Sequence, residues 1–201
     1  LKASNDSASP DLKRYCGRCL KKPPYFERTL SPLLYEFPID RLVAQLKHQA
    51  KPDLLQLACD LFLQTFESQI RQQPPQQLIP VPLHRNRLYQ RGYNQAAEWG
   101  RYLARHLDIQ LNLSLCHRQL DTPHQQGLSA KQRRRNLAKA YHVGDCEGIH
   151  HVAIIDDVMT TGTTIDLLAR QLRRQGVTTV EAWTLARTPS HLVSPSLKPE
   201  R

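Results

Sequence analysis

Apolar residues recur along the chain in two patterns, one with a helical period and one as short continuous runs. The helical period predicts helices over residues 39–46, 54–70, 95–107 and 163–174. The continuous runs predict strands over residues 33–37, 78–82, 152–157 and 180–186. Because strands and helices alternate over most of the chain, we predict an α/β fold with a parallel sheet flanked by helices. Ligands of such sheets bind beyond the carboxyl ends of the strands.

Polar stretches separate these elements and suggest how the chain is divided. Residues 72–77 (QQPPQQ) predict a surface connection, and residues 84–94 (HRNRLYQRGYN) predict a basic loop. Residues 1–11 are expected to be disordered, and residues 15–24 form a cysteine-bearing knuckle that ends at two prolines. We therefore expect a short Cys-bearing N-terminal segment, an α/β domain and a C-terminal tail. Their bounds are residues 1–32, 33–190 and 191–201.

Charge and cysteine content narrow the class of protein. Lys and Arg number 28 against 18 Asp and Glu in 201 residues, and the resulting net charge of +10 favours polyanionic partners, although solubility alone also accounts for it. No apolar run approaches the roughly 18 residues of a membrane span, and the polar start lacks the apolar stretch of a signal peptide. Five cysteines without a disulfide framework suit a reducing compartment. We expect a cytoplasmic protein.

The stretch VAIIDDVMTTGTTI (152–165) carries the most specific chemistry. A buried strand leads to two carboxylates, and a run of threonines around one glycine follows where the next helix starts and leaves its first amides unpaired. Glycine allows a close backbone approach, hydroxyls add donors and the helix start favours negative charge, so this loop predicts a phosphate cradle. The residues concerned are Asp156, Asp157, Thr160, Thr161, Gly162, Thr163 and Thr164.

The two carboxylates would repel a phosphate in direct contact, so we expect them to accept hydrogen bonds from sugar hydroxyls. Together the two features predict a sugar phosphate ligand. The alternative is an ordinary threonine helix cap, which requires only one Thr and one Asp. Neither a P-loop nor a dinucleotide-binding glycine pattern is present in the sequence.

Cys16 and Cys19 form one Cys-x-x-Cys pair, whereas a structural zinc site takes four ligands. The pair is either half of a zinc site, from a truncated chain or a degenerate relic, or two inert thiols in a loop. We expect this chain to hold zinc weakly or not at all, with zinc binding possible only in a longer protein.

VAIIDDVMTTGTTI resembles the phosphoribosyl diphosphate (PRPP) binding motif of type I phosphoribosyltransferases. The wider chain resembles the ComF/GntX family, which is associated with DNA uptake or utilisation. That resemblance rests on CGRCLKKPP, LIPVPLHRNRLYQRGYNQ, QGLSAKQRRRNLAKAY, the PRPP motif and TLART. It implies a type I phosphoribosyltransferase-like fold that binds PRPP together with Mg²⁺.

The resemblance also implies roles for particular residues. It places the ribose hydroxyls on Asp156 and Asp157 and the ribose-linked phosphate on residues 160–164. It makes residues 126–136 a hood over the site, in which Arg133 and Asn136 match the family's Arg-x-x-Asn. The diphosphate is expected at Arg85, Arg87, Arg91 and Gly92.

Two functions remain open at this point. As an enzyme, the protein would displace diphosphate from PRPP by a nucleophile that the sequence does not identify, and no catalytic residue can be assigned. As a binding protein, it would sense PRPP or handle single-stranded DNA without turnover. The basic run KQRRR (131–135) is of a kind that is usually a solvated face, but it is consistent with both functions, because it could also close over a polyanion or follow a nucleic-acid backbone.

Overall fold

The helices and strands of the computed structural model follow the predicted alternation over most of the chain. The model describes residues 17–48, 52–120 and 139–189. The helices are α1 (Gly17–Lys21), α2 (Ile39–His48), α3 (Pro52–Gln72), α4 (Arg85–Arg91), α5 (Gln95–Leu107) and α6 (Thr163–Arg174). The strands are β1 (Arg28–Leu30), β2 (Leu33–Leu34), β3 (Gln77–Pro80), β4 (Gln110–Leu111), β5 (Cys116–Arg118), β6 (Tyr141–Val143), β7 (His151–Met159) and β8 (Thr179–Arg187).

A six-stranded parallel sheet forms the centre of the described structure. Its order is β1-β8-β7-β3-β4, and β2 pairs with β8 further along the same edge as β1. The central strand β7 places four consecutive apolar residues, 152–155, in full burial, as expected of a parallel strand covered on both faces. The predicted α/β class with a parallel sheet flanked by helices is confirmed.

Two apolar cores cover the two faces of this sheet. On one face, α2, α3 and α5 pack against alternate residues of β7, and the ring of Phe62 lies 5.2 Å from that of Trp99 and 5.4 Å from that of Trp183. On the other face, α6 packs together with the antiparallel pair β5–β6. No helix within the described ranges is both long and apolar enough to cross a bilayer.

The sheet begins earlier in the chain than residue 33, the predicted start of the α/β domain. Strand β1 contains only Arg28–Leu30, and its backbone pairs with β8. The predicted strand over residues 33–37 is limited to Leu33–Leu34. Strands of two or three residues have no detectable period, so pairing with the long neighbour β8 decides where they lie.

The N-terminal segment packs against α6. The backbone N–H of Tyr25 donates to Asp166 Oδ1 at 2.8 Å, and the Arg170 guanidinium lies 5.6 Å from the centre of the Tyr25 ring. Arg173 donates to the carbonyl oxygen of Tyr25 and pairs with the carboxylate of Glu27. These contacts hold residues 25–27 beside the helix that begins at the predicted phosphate cradle.

Candidate functional site

The predicted site lies where two neighbouring parallel strands end. Strand β3 pairs with β7 from Gln77 to Pro80, and the N–H of Val81 donates to the carbonyl oxygen of Ile155 at 2.8 Å. The segments after both strands therefore leave the sheet at the same edge. One segment leads into α4 and the other into α6. The basic stretch 84–94 and the stretch 152–165 are therefore neighbours in space.

Asp156 and Asp157 lie within β7, which continues to Met159. Asp156 Oδ1 accepts the N–H of Asp157 at 2.9 Å, and Asp157 Oδ1 accepts the N–H of Val158 at 2.7 Å. Both residues are half-buried. Since an ionised carboxylate can accept about four hydrogen bonds, each retains capacity for ligand hydroxyls.

The side chains of β7 change their facing order at Asp157. Ala153 and Ile155 belong to the core under α3 and α5, whereas Ile154 belongs to the core under α6. Strict alternation would place Val158 on the α6 side, yet it packs against the α3 and α5 core. Met159 in turn belongs to the core under α6, so both residues after the carboxylates are out of phase with the rest of the strand.

The loop between β7 and α6 has the geometry of an anion cradle. Gly162 is the N-cap of α6 with φ of 70°, in the left-handed region that favours glycine, and it offers no side chain to its helix. The Oγ1 atoms of Thr161 and Thr163 lie 2.8 Å apart, and the N–H of Thr163 reaches Thr161 Oγ1 only at 3.4 Å. The helix start therefore presents backbone N–H groups beside a cluster of hydroxyls. Thr160 and Thr161 are exposed, and residues 162–164 are half-buried.

The predicted basic loop over residues 84–94 is largely the helix α4, so the loop prediction is wrong there. His84 caps the helix by accepting the N–H of Asn86 at its Nδ1, and Gly92 ends it with φ of 77°. α4 has no buried residue, so no apolar face marks it as a helix in the sequence. Gly92 thus has a structural role that is independent of any ligand.

The three arginines of α4 are placed differently. Arg87 is half-buried, and its charge opposes the rise that burial causes in the pKa of the Tyr141 hydroxyl. Arg91 is exposed and donates to Gln95 Oε1 at 3.3 Å, toward the start of α5. Arg85 is exposed in the first turn of α4. Of the three arginines predicted at the diphosphate, Arg87 is therefore the one that is partly buried.

Tyr141 joins the site from the β5–β6 pair, and sequence patterns do not single it out. Burial raises the pKa of its hydroxyl, and so does the carboxylate of Asp156. Arg118, a hydrogen bond with the Thr164 side chain, and Arg87 each act to lower it. Groups from four separate segments thus influence the pKa of this hydroxyl. A lone tyrosine at the start of a short strand is typical of a core residue, which is why the sequence does not reveal its position.

Several predicted residues are not brought to the site by the described structure. Arg133, Asn136 and the whole stretch 126–136 lie outside the described residues, as does Cys16. Cys19 lies half-buried in α1. Among the described residues, no group of three or more His, Cys, Asp or Glu side chains could hold a metal ion. The hood and the zinc half-site remain predictions.

A buried charge cluster lies at the opposite, amino-terminal side of β7. Glu181 is only 2% exposed, and its carboxylate contacts Arg28, His151 and Trp183 at 2.8 Å each. Burial pushes its pKa up, but the three donors outweigh that effect and lower it overall. Sequence reasoning missed this cluster, although a glutamate inside an apolar strand is the signal that indicates one.

Curated relatives match most of the chain. DNA utilization protein YhgH from Escherichia coli O157:H7 is 36% identical over 176 residues, which cover 86% of this chain and 78% of the relative. Competence protein F from Haemophilus influenzae is 35% identical over 184 residues, covering 87% and 79%. The chain belongs to their family. The resemblance to the ComF type of protein is thereby confirmed.

Two further comparisons complete this picture. No family model matches the chain. Among solved structures, orotate phosphoribosyltransferase from Aeropyrum pernix is similar with a TM-score of 0.42 and 20% identity, over 72% of this chain and 67% of that chain.

Proposed function

We propose that the protein binds PRPP with Mg²⁺ at the edge formed by β7, α6 and α4, and transfers the phosphoribosyl group with displacement of diphosphate. The observation that carries the proposal is the β7–α6 loop. Two half-buried carboxylates precede a left-handed glycine and a helix start surrounded by threonine hydroxyls. This combination suits a ligand that carries both vicinal hydroxyls and a phosphate.

Each part of the site suits one part of PRPP. Asp156 and Asp157 accept hydrogen bonds from the ribose hydroxyls, while the amides and hydroxyls of residues 160–164 receive the phosphate on the ribose. Arg87 supplies positive charge from the neighbouring segment, where the diphosphate is expected. The half-buried position of Arg87, which acts electrostatically on the hydroxyl of Tyr141, supports this arrangement.

Displacement builds charge at two places. The bond between the anomeric carbon and the diphosphate breaks with its electron pair leaving on the diphosphate, and the nucleophile forms the new bond to that carbon. The sugar becomes oxocarbenium-like as negative charge accumulates on the leaving group. Arginine groups directed at the leaving diphosphate therefore stabilise the transition state more than the bound substrate.

Mg²⁺ fits the donor types at this edge. Carboxylate oxygens are available at Asp156 and Asp157, and Mg²⁺ is commonly bound through one or two carboxylates together with substrate phosphates. When bound, the ion neutralises charge on the diphosphate. The side chains of Asp156 and Asp157 hold the ribose, and residues 160–164 hold its phosphate.

The test of turnover is diphosphate release. The protein should be incubated with PRPP and Mg²⁺ and with candidate acceptors in turn: ammonia, free nucleobases and single-stranded DNA. We expect release that depends on one acceptor and that Arg87→Gln reduces more than Arg105→Gln, an exposed arginine on α5. If the protein binds PRPP but releases no diphosphate with any acceptor, catalysis is refuted and only the binding function is left.

A role in DNA use is part of the proposal. The relatives are named for DNA utilization and competence, and the net charge of +10 suits a protein that works near nucleic acid. We also infer a cytoplasmic location, since the free thiols of Cys59, Cys116 and Cys146 suit a reducing compartment.

The second candidate function is single-strand handling without turnover, and the surface of α4 favours it. Tyr89 is 92% exposed, and the exposed Arg85 and Arg91 lie on the same short helix. An exposed aromatic ring among cations is the arrangement on which single-stranded bases stack while arginines contact phosphates.

Tyr89→Ala separates the two candidates. If α4 binds single strands, this variant should weaken binding of an oligothymidine by about fivefold or more, because one stacked base is lost. Tyr25→Ala, which removes a half-exposed ring elsewhere, is the control. PRPP affinity should not change in either variant. Equal oligothymidine affinity in wild type and Tyr89→Ala would refute this role for α4.

A further inference from the structure

Residues 25–27 form a strap that is held against α6 by backbone groups of Tyr25. The N–H of Tyr25 donates to Asp166 Oδ1 at 2.8 Å, and the carbonyl oxygen of Tyr25 accepts Arg173 Nε at 3.0 Å. Asp166 lies in the first turn of α6 and Arg173 in the last, about two turns apart on one face of the helix. Since both contacts use the backbone of Tyr25, they do not depend on its side chain.

The other end of the strap is joined to the start of β8. The N–H of Glu27 donates to the carbonyl oxygen of Val180 at 2.9 Å, and Glu27 Oε2 accepts the N–H of Val180 at 2.8 Å. The second carboxylate oxygen of Glu27 pairs with the Arg173 guanidinium. Phe26 therefore lies between two residues that are each fixed by hydrogen bonds to distant parts of the chain.

The ring of Phe26 lies beside the phosphate cradle. A Cβ atom placed on Gly162 would be 3.8 Å from Phe26 Cζ and 3.4 Å from Met159 Sδ. Phe26 is half-buried and packs against the core under α6. The ring and the Met159 side chain thus fill the space in which another residue at position 162 would carry its side chain. The left-handed backbone of Gly162 is supported on this side by a residue of the strap.

We propose that Phe26 is a positioning residue for the phosphate cradle: its ring, fixed by the strap, supports Gly162 in the conformation that presents the first amides of α6 to the ligand. This inference rests on the proposed function and adds a residue to the same site. A loop that is already in its binding conformation loses little conformational freedom when the ligand binds. Without the ring, fewer molecules would hold the competent loop, and the apparent affinity would fall in proportion.

Phe26→Ala tests the proposal because it removes the ring and leaves the backbone contacts of the strap. The probe is ribose 5-phosphate, which carries the phosphate without the diphosphate, and calorimetry measures its binding at a temperature where the variants are folded. We expect about fivefold weaker binding, as for a competent loop population of about one fifth. Phe66→Ala is the control, because Phe66 is a partly buried ring in the other core. Wild-type affinity in Phe26→Ala, or an equal loss in Phe66→Ala, would overturn the proposal.

Arg173→Gln tests the strap without touching the cradle. Arg173 lies about 15 Å along α6 from the helix start, and the substitution removes its contacts with Tyr25 and Glu27. Arg174→Gln is the matched control, since it removes the same charge from an exposed neighbour. We expect Arg173→Gln to weaken ribose 5-phosphate binding by about twofold or more, and to have a smaller effect once Phe26→Ala is present. Equal affinities in Arg173→Gln and Arg174→Gln would overturn the proposal, as would losses that multiply in the double variant.

Amide hydrogen exchange tests the proposal without a ligand, so it applies even if Phe26→Ala does not fold. The N–H of Asp166 donates to the carbonyl oxygen of Gly162 at 2.9 Å and closes the first turn of α6. This N–H should exchange several times faster in Arg173→Gln than in wild type or Arg174→Gln, because an unsupported Gly162 opens more often. Unchanged exchange would overturn the proposal.

The binding measurements also separate the two ways in which this account can fail. If wild type binds neither ribose 5-phosphate nor PRPP, the proposed function fails and this inference fails with it. If wild type binds the probe and Phe26→Ala binds it equally well, only the positioning role of Phe26 is refuted.

Discussion

At the scale of single residues, Gly162 carries the tightest constraint in the site. Its φ of 70° is left-handed, and a Cβ atom there would lie 3.4 Å from Met159 Sδ and 3.8 Å from the ring of Phe26. The glycine thus allows both the turn and the close approach of the backbone to a ligand. The threonines around it supply hydroxyls, which other polar side chains could also offer.

Gly162→Ala should therefore weaken both stability and ligand binding. We expect a loss of about 1 kcal/mol in the free energy of unfolding from left-handed strain, and a clear loss of PRPP affinity. Gly148→Ala is the matched control, since its φ is 72° and no atom lies within 4 Å of the added Cβ. Denaturant unfolding and calorimetry measure the two effects. Equal PRPP affinity in the two variants would show that Gly162 has no role beyond the turn.

At the scale of secondary structure, the neighbouring strands β1, β7 and β8 are tied together by a buried ion cluster. Glu181 on β8 contacts Arg28 on β1 and His151 on β7, and it accepts Trp183 Nε1 on its own strand. Breaking a buried pair leaves the partner charges without compensation, which costs more than the pair itself contributes. The cluster therefore fixes which strands are neighbours on the side of the sheet away from the site.

Glu181→Gln should lower the free energy of unfolding at neutral pH by about 2 kcal/mol, a typical value for hydrogen bonds to a charged group. The pKa of Glu181 in the folded protein lies below its ordinary value of 4.5, so its contribution is present above that pH and is lost as the pH falls through the folded pKa. The stability of wild type should consequently fall more steeply in acid than that of Glu181→Gln.

Unfolding curves from about pH 7 to about pH 3 measure this difference. Glu67→Gln is the control, because Glu67 belongs to an exposed cluster with Arg71 and His106 and should contribute little. Parallel pH profiles for wild type and Glu181→Gln would contradict the assignment.

Elements with a long repeating pattern could be predicted from the sequence, and elements without one could not. α3, α5 and α6 each present an apolar face, and β7 and β8 are continuous apolar strands, so their positions follow from periodicity. The strands β1, β4, β5 and β6 contain two or three residues and acquire their structure only from the strand beside them. The helix α4 has no buried residue, so its caps at His84 and Gly92 define it and an apolar period does not.

At the scale of the whole molecule, the site combines segments that are far apart in the sequence. The carboxylates and the cradle are contiguous in the chain, so their chemistry could be predicted from the residues alone. Tyr141 joins the core under α6 only because β6 packs there, and the segment that leads to α4 leaves the sheet beside the cradle only because β3 pairs with β7. Such contacts depend on tertiary packing, which no local pattern encodes.

The central claim is that Asp156 and Asp157 hold the ribose of PRPP. Each carboxylate accepts one backbone N–H within β7, and an asparagine carbonyl oxygen can still accept that bond. Asp156→Asn combined with Asp157→Asn should therefore leave the fold intact while removing charged acceptors for the ribose hydroxyls.

Calorimetric titration with PRPP and Mg²⁺, performed on wild type and on this double variant, tests the claim most directly. We expect wild type to bind PRPP and the double variant, with an unchanged melting temperature, to bind it at least about tenfold more weakly, as for the loss of two hydrogen bonds. Equal PRPP affinity in the folded double variant would contradict it.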